Sequence, residues 1–348
     1  MSSMLSKMPQ ITAIICTYRR PKWLHRAILS ILNQTYRDFQ ICIYDNASGD
    51  ETSEVVAELA RQDERIHYIR RPENIGLLAN YSDAMKQVQT PFFAFLGDDD
   101  IILPNFYETA MDTMQKHPTA MFFASSFLDF SLTGKKVYGH QFADQSFLPP
   151  AGMFQFIESN KAPNLHGTLL RRDVVDNCAE FGTVHSWADV DFLLQVAASY
   201  PILTSSTECL LVTSHNIDKQ HQAAISDAWV IQDAVSKNLQ PLLTAADYQK
   251  VQTILHARIR ESIYFTGIEV LYQGNFEEVK IGSQKLRQAY RSFWQPLILD
   301  ALSWLFQKLP GLHRLLRKTR TSHPTRDHFA PQILSYAEII KIYQEQRY

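Results

Sequence analysis

Three features predict an α/β fold, a mostly parallel sheet flanked by helices with a mainly α-helical C-terminal region behind it. Short apolar runs alternate with stretches of helical apolar spacing through residue 117, polar segments close three of those runs, and beyond Ser226 nearly every segment reads as helix.

Residues 11–16 are wholly apolar or β-prone, as suits a strand buried on both faces. Pro21 opens a helix over 21–34, where Trp23, Leu24, Ala27, Ile28, Ile31 and Leu32 recur at helical spacing. The alternation continues with strands over 39–44, 66–70 and 92–96 and helices over 51–61, 74–88 and 105–117. Such a pattern implies parallel strands with right-handed crossovers, and ligands of such sheets bind beyond the carboxyl ends of the strands. Residues 17–19, 45–48 and 98–100 therefore share one edge. A strand over 120–125 leads into an irregular stretch, punctuated by Gly and Pro, through Pro163. A helix over 190–199, strands near 202–207 and 210–213 and a polar loop over 214–222 follow. The expected division is a domain over 1–225, with halves at about 9–117 and 118–225, and a helical region over 226–348.

Composition narrows the function. With 34 basic and 36 acidic residues the formal net charge is -2, which argues against a general nucleic-acid binder. The four cysteines never form a CxxC pair, so neither a zinc knuckle nor a disulfide framework is suggested. No apolar leader opens the sequence and no uncharged run is long enough to span a bilayer, so the expected compartment is the cytoplasm. Residues 297–316 mix Leu, Ile, Trp and Phe with Lys308 and Arg314, leaving two readings: a helix pair packed on the protein, or a basic amphipathic segment lying peripherally on an anionic membrane surface, its inner face.

The strand over 92–96 runs straight into Gly97 and three consecutive carboxylates, Asp98, Asp99 and Asp100. Adjacent acids repel unless a cation neutralises them, and Mg²⁺ or Mn²⁺ is commonly held by one or two carboxylates plus substrate phosphates. One Asp could instead cap the following helix. Asp45, after the second strand, could accept from a pyrimidine ring N–H or a ribose hydroxyl, or form an Asx turn. Thr17, Tyr18 and Arg19, after the first, offer a hydroxyl, an aromatic face and a cation, or simply a loop.

In order, Cys16-Thr17-Tyr18-Arg19-Arg20-Pro21, Ser30-Ile31-Leu32-Asn33-Gln34-Thr35-Tyr36, Tyr44-Asp45-Asn46-Ala47-Ser48-Gly49-Asp50, Asn74-Ile75-Gly76-Leu77 and Leu96-Gly97-Asp98-Asp99-Asp100 resemble family 2 glycosyltransferases of the GT-A fold. The resemblance covers about residues 11–221. It implies an inverting transferase, with Thr17, Tyr18, Arg19, Asp45, Asn74, Asp98 and Asp99 toward the nucleotide-sugar and Asp99, Asp100 and His215 toward a divalent cation. It places Asn74 and Asn80 behind the nucleotide. Trp187-Ala188-Asp189-Val190-Asp191 is similar to the family's Glu-Asp segment, which makes Asp189 the catalytic base. His166 falls where related enzymes approach the acceptor. The family's usual acid is replaced by Gly97, its Glu by Ala188 and a frequent Arg by Gln195.

The resemblance implies transfer of a hexose or N-acetylhexosamine from a UDP-sugar to a glycan or lipid-linked acceptor in surface polysaccharide biosynthesis. The competing readings are a dTDP-sugar-dependent transferase and an inactive scaffold that binds a glycan or partner protein. A nucleotidyltransferase is disfavoured because no glycine-rich loop follows the first strand.

Overall fold

The computed structural model describes residues 8–131, 136–159, 161–177, 187–214, 233–309 and 334–345; His215 and Cys178 lie outside them. The chain forms two compact units, Met1–Asn216 together with Pro331–Tyr348, and Ile217–Ala330. The sequence had suggested 331–348 as part of the helical region.

The first unit holds strands β1 (Ile11–Thr17), β2 (Phe39–Asp45), β3 (Ile66–Arg70), β4 (Phe92–Gly97), β5 (Ile101–Ile102), β6 (Phe122–Ser131), β7 (Lys136–His140), β8 (Gln145–Phe147), β9 (Thr168–Arg171) and β10 (Ile202–Ser214). Its helices are α1 (Pro21–Leu32), α2 (Thr52–Ala60), α3 (Leu77–Lys86), α4 (Phe106–Lys116), α5 (Ala151–Ser159), α6 (Asp173–Asn177) and α7 (Ala188–Ser199). The strands form one sheet in the order β3-β2-β1-β4-β9-β6-β10-β5, with β7 on β6 and β8 on β10. The first four in this order are mutually parallel, as the alternating pattern requires. Antiparallel β9 then separates β4 from β6.

Every residue of β1 is buried, because β1 has strands on both sides and side chains packed on both faces. Leu24, Ala27, Ile28 and Ile31 of α1 pack into the same core as Ile11, Ala13 and Ile15. Helix α3 begins at Leu77, three residues later than the apolar spacing suggests, since Gly76 holds φ 88°, outside any helix. The stretch through Pro163 is more regular than its composition suggests, containing β7, β8 and α5. The two strands expected near 202–207 and 210–213 are one, β10, whose register against β6 shifts around Glu208 as at a β-bulge.

A last helix of this unit, running Tyr336–Glu345, is capped reciprocally: the Ser335 hydroxyl accepts from Glu338 N–H while the Glu338 carboxylate accepts from Ser335 N–H. Its Ile339 and Tyr343 pack on Ile101, Leu103, Leu128, Phe130 and Leu211.

The second unit contains α8 (Ala245–Gln273), α9 (Phe276–Gln288) and α10 (Trp294–Lys308), so the helix Tyr336–Glu345 is α11. Thr244 caps α8, Gly274 ends it in the left-handed conformation, and Asn275 caps α9. Ile263, Leu271, Val279, Leu286, Leu299 and Phe306 make the core of this unit. Among the described residues no helix is long and apolar enough to cross a membrane.

Candidate active site

Strand register builds the site. Thr17 stands beside Asp45 on β2, and Cys16 beside Gly97 on β4, so the residue following β4 falls next to Thr17. The Thr17 hydroxyl accordingly donates to Asp98 Oδ2 at 2.8 Å. Arg20, just ahead of α1, reaches Asp98 Oδ1 at 3.1 Å and Asp99 Oδ2 at 2.7 Å. The opposite charges leave Asp98 incompletely compensated. Burial first, then the charge of Asp99, pushes its carboxyl up to about 6, against the pull of Arg20 and Thr17.

Asp99 and Asp100 are fixed from the other side by β10. The short β5 pairs antiparallel with Leu210 and Leu211, which carries Thr213 over the turn. Thr213 N–H donates to Asp100 Oδ1 at 2.9 Å, and the Thr213 hydroxyl donates to the Asp99 carbonyl. Arg26, a buried cation on α1, donates to that same carbonyl and to the Thr213 hydroxyl, the latter at 2.8 Å. Burial lowers Arg26 to about 10 although Asp100 and Asp99 favour its charge.

His166 closes the far side of the triplet. It sits in the 3₁₀ turn Leu165–Gly167, whose start is capped by Asn164, and places Nδ1 2.7 Å from Asp100 Oδ2 and Nε2 3.3 Å from the Tyr81 hydroxyl. Burial works against its charge, yet the hydrogen bond and charge of Asp100, with Asp99 and Asp189, raise it above the usual imidazole range. The ring fills space that Gly97 leaves open. A Cβ there would lie 2.8 Å from Asp100 Oδ2 and 2.8 Å from His166 Cε1.

The loops after β1 and β2 are interlocked. Asp45 is 1% exposed and accepts from Ser48 N–H at 3.0 Å, from the Ser48 hydroxyl and from the Tyr68 hydroxyl at 2.6 Å. Arg19 N–H donates to Ser48 Oγ at 2.9 Å and Arg19 Nε to the Ser48 carbonyl at 3.0 Å. Arg19 and Ala47 both hold positive φ, 56° and 62°, a strained backbone that persists only where neighbours over-determine it. Asn46 donates to Asn74 Oδ1 at 2.8 Å, and buried Asn80 donates to the Tyr44 carbonyl at 2.9 Å. Tyr18 is exposed beside the Arg19 guanidinium, 5.0 Å from ring centre to Cζ.

The segment that carries the strand ends of this site, residues 12–178, matches Glycosyl transferase family 2. Residues 12–178 are a family 2 glycosyltransferase domain. A GalNAc(5)-diNAcBac-PP-undecaprenol beta-1,3-glucosyltransferase of Campylobacter jejuni is 35% identical to this chain over 105 residues, 30% of this chain and 34% of that one. The chain spans about a third of the length of such relatives, which share 34%, 37% and 38% of their lengths. The fold is that of S. aureus TarS 1-349 in complex with UDP-GlcNAc, with TM-score 0.60 and 17% identity over 97% of this chain and 93% of that one. It is also that of the mannosyltransferase PcManGT from Pyrobaculum calidifontis in complex with GDP-Man and Mn²⁺, with TM-score 0.53 and 15% identity over 99% and 88%.

Within the family 2 domain, Thr17, Arg19, Asp45, Asn74 and the three acids gather at the carboxyl ends of β1, β2 and β4. Asp189, beyond the matched segment, opens α7, and its charge reaches His166. Asp191 is fully buried, and Gln195 is buried with no hydrogen-bond partner for its amide among the described residues. Sequence reasoning passed over Arg20, Arg26, Tyr81 and Thr213. Arg26 alone carried a signal, a charged residue among the apolar positions of α1. Among the described residues no three His, Cys, Asp or Glu side chains could enclose an ion by themselves, so a cation here would draw its remaining ligands from diphosphate and water.

Proposed function

We propose that this chain is an inverting hexosyltransferase that takes a hexose or N-acetylhexosamine from a UDP-sugar and adds it to a glycan or lipid-linked acceptor of surface polysaccharide biosynthesis, on the cytoplasmic side of the membrane. The observation that carries the reading is the convergence of Asp45, Thr17 with Arg19, and Asp98 to Asp100 on one strand edge. It is supported by the UDP-GlcNAc and GDP-Man held by fold neighbours, and by the lipid-linked substrate named for the Campylobacter relative.

In this reading Asp45 and Arg19 take the nucleotide, Tyr18 lies against its base, and Asp98 takes the ribose. Asn74 holds the loop that Asp45 shapes. Asp99 and Asp100 hold a divalent cation, Mn²⁺ or Mg²⁺, with His215 as a further candidate ligand outside the described residues. That cation, when bound, neutralises charge on the diphosphate leaving group. Asp189 accepts the proton of the acceptor hydroxyl as its oxygen forms the new bond to the anomeric carbon. The bond from that carbon to the diphosphate oxygen breaks on the opposite side, inverting the centre. Asp100 is anchored by Thr213 N–H on Oδ1 and by His166 Nδ1 on Oδ2, and a bound cation would compete with that histidine for Oδ2.

The test is hydrolysis of a panel of UDP-, dTDP- and GDP-sugars with Mn²⁺, with Mg²⁺ and with chelator, comparing the parent with Asp100→Ala and Asp189→Ala. Metal-dependent release of UDP, lost in Asp100→Ala, supports the reading. Preference for a dTDP-sugar changes the donor alone; silence together with absent nucleotide binding leaves an inactive scaffold.

A further inference from the structure

Helix α10 is apolar on two opposite sides. Pro296, Leu299 and Phe306 point into the second unit, where Leu299 and Phe306 join the core built with α8 and α9. Trp294, Leu297, Ile298, Ala301, Trp304 and Lys308 recur at intervals of three and four and make the outward face. Trp294 is 71% exposed and Trp304 63%, and Phe293 and Leu309 flank the helix ends in the same exposed state. Isolated surface apolar residues are ordinary, but a stripe running from the first turn to the last is not. A water-facing helix shows polar residues outward; here the polar residues against the apolar stripe are Lys308 and, at the margin, Asp300 and Gln307.

Charge decides what covers this stripe. No acid lies on the outward face, and Asp300, at its margin, is paired with Arg287. Exposed Arg291 precedes the helix and Lys308 closes it. From 301 to 326 the sequence contains no Asp or Glu, while Lys308, Arg314, Arg317, Lys318 and Arg320 follow one another. A second copy docked face to face would bring like charges together. An anionic bilayer surface accepts both parts: the aliphatic stripe enters the headgroup boundary, the indoles of Trp294 and Trp304 sit at the interface, and Arg291 and Lys308 meet phosphate.

We propose that the outward face of α10 is a membrane-docking surface selective for anionic phospholipid. It adds an interaction to the transferase reading and does not depend on the donor or the base.

The experiment is co-sedimentation of the full chain with vesicles of phosphatidylcholine alone and of phosphatidylcholine mixed with phosphatidylglycerol. The parent, a Trp294→Gln/Trp304→Gln double variant and Leu148→Gln are compared, the last removing an exposed apolar residue of the first unit. Circular dichroism and melting curves, unchanged in all three, establish that each is folded. The expected result is binding to the mixed vesicles that weakens with salt, falls about tenfold or more in the double variant and is retained by Leu148→Gln. No sedimentation with either vesicle overturns the proposal, as does binding that the double variant leaves intact. A concentration-dependent dimer abolished in the double variant, without vesicle binding, assigns the face to a second copy and overturns it as well.

Discussion

His166 Nδ1 stands 2.7 Å from Asp100 Oδ2, in space left by the missing side chain of Gly97. The three residues form one steric unit: the family's usual acid and this histidine would compete for the same volume. Gly97→Ala should therefore lower stability by about 1–3 kcal/mol as an overpacking change. His166→Ala in the same chain should restore much of that loss. Urea unfolding of the two single variants and the double variant measures the coupling, and strict additivity would refute the shared volume.

Arg20 and Arg26 both serve the acidic triplet but differ in burial, with Arg20 side-chain exposure at 46% and Arg26 buried. Arg20→Ala should change stability by about 1 kcal/mol or less, as for an exposed pair. Arg26→Ala removes a buried donor to the Asp99 carbonyl and Thr213 and exposes the face of Trp23 on which it stacks, and should cost about 2–3 kcal/mol. Equal losses in the two variants, read from denaturant midpoints, would contradict this ranking.

Stability of the metal-free protein should fall as pH rises from 5 to 8. Asp98 is raised from 3.8 to about 6, so the folded state holds its proton longer than the unfolded one, and the stability this confers is lost as pH passes through 6. His166, also raised in the folded state, contributes stability that is present below its ordinary 6.5 and lost above it. The Asp98 share over this range is about 1 kcal/mol. Melting curves across the range should flatten in part in Asp98→Asn, and a parent that gains stability toward pH 8 would show the sign to be wrong.

Asp189→Asn should lower kcat by about 10²–10⁴-fold while leaving donor KM within a few-fold, since the role proposed for the side chain is to take the acceptor proton. The amide keeps the shape and removes the base. A variant with full kcat would move the base elsewhere, whereas a large rise in donor KM would make Asp189 a donor-binding residue.

How far the sequence could be read follows from what each position needs. The strand–helix alternation through residue 117 was legible because β1, β2 and β4 bury continuous apolar runs, and such runs admit few other structures. The gathering of Thr17, Asp45 and Asp98 followed from parallel register. Thr213 and Tyr81 were not legible, because Thr213 reaches the acids through the antiparallel pairing of β5 with β10 and Tyr81 through a histidine eighty-five residues away. The region through Pro163 misled for a local reason: Pro149 and Pro150 mark a turn, and the regular elements on either side are short.

Residues Ile339 and Tyr343 cover Ile101, Leu103 and Leu211, the same short strand pair that holds Thr213 against Asp99 and Asp100. During synthesis the sheet can assemble once Ser214 has left the ribosome, but that apolar patch stays open to water until α11 emerges behind the whole of the second unit. Maturation of the acidic turn is thereby tied to the emergence of α11 rather than to the completion of the sheet, and a nascent chain stalled between the two would carry the site's residues with an uncovered flank.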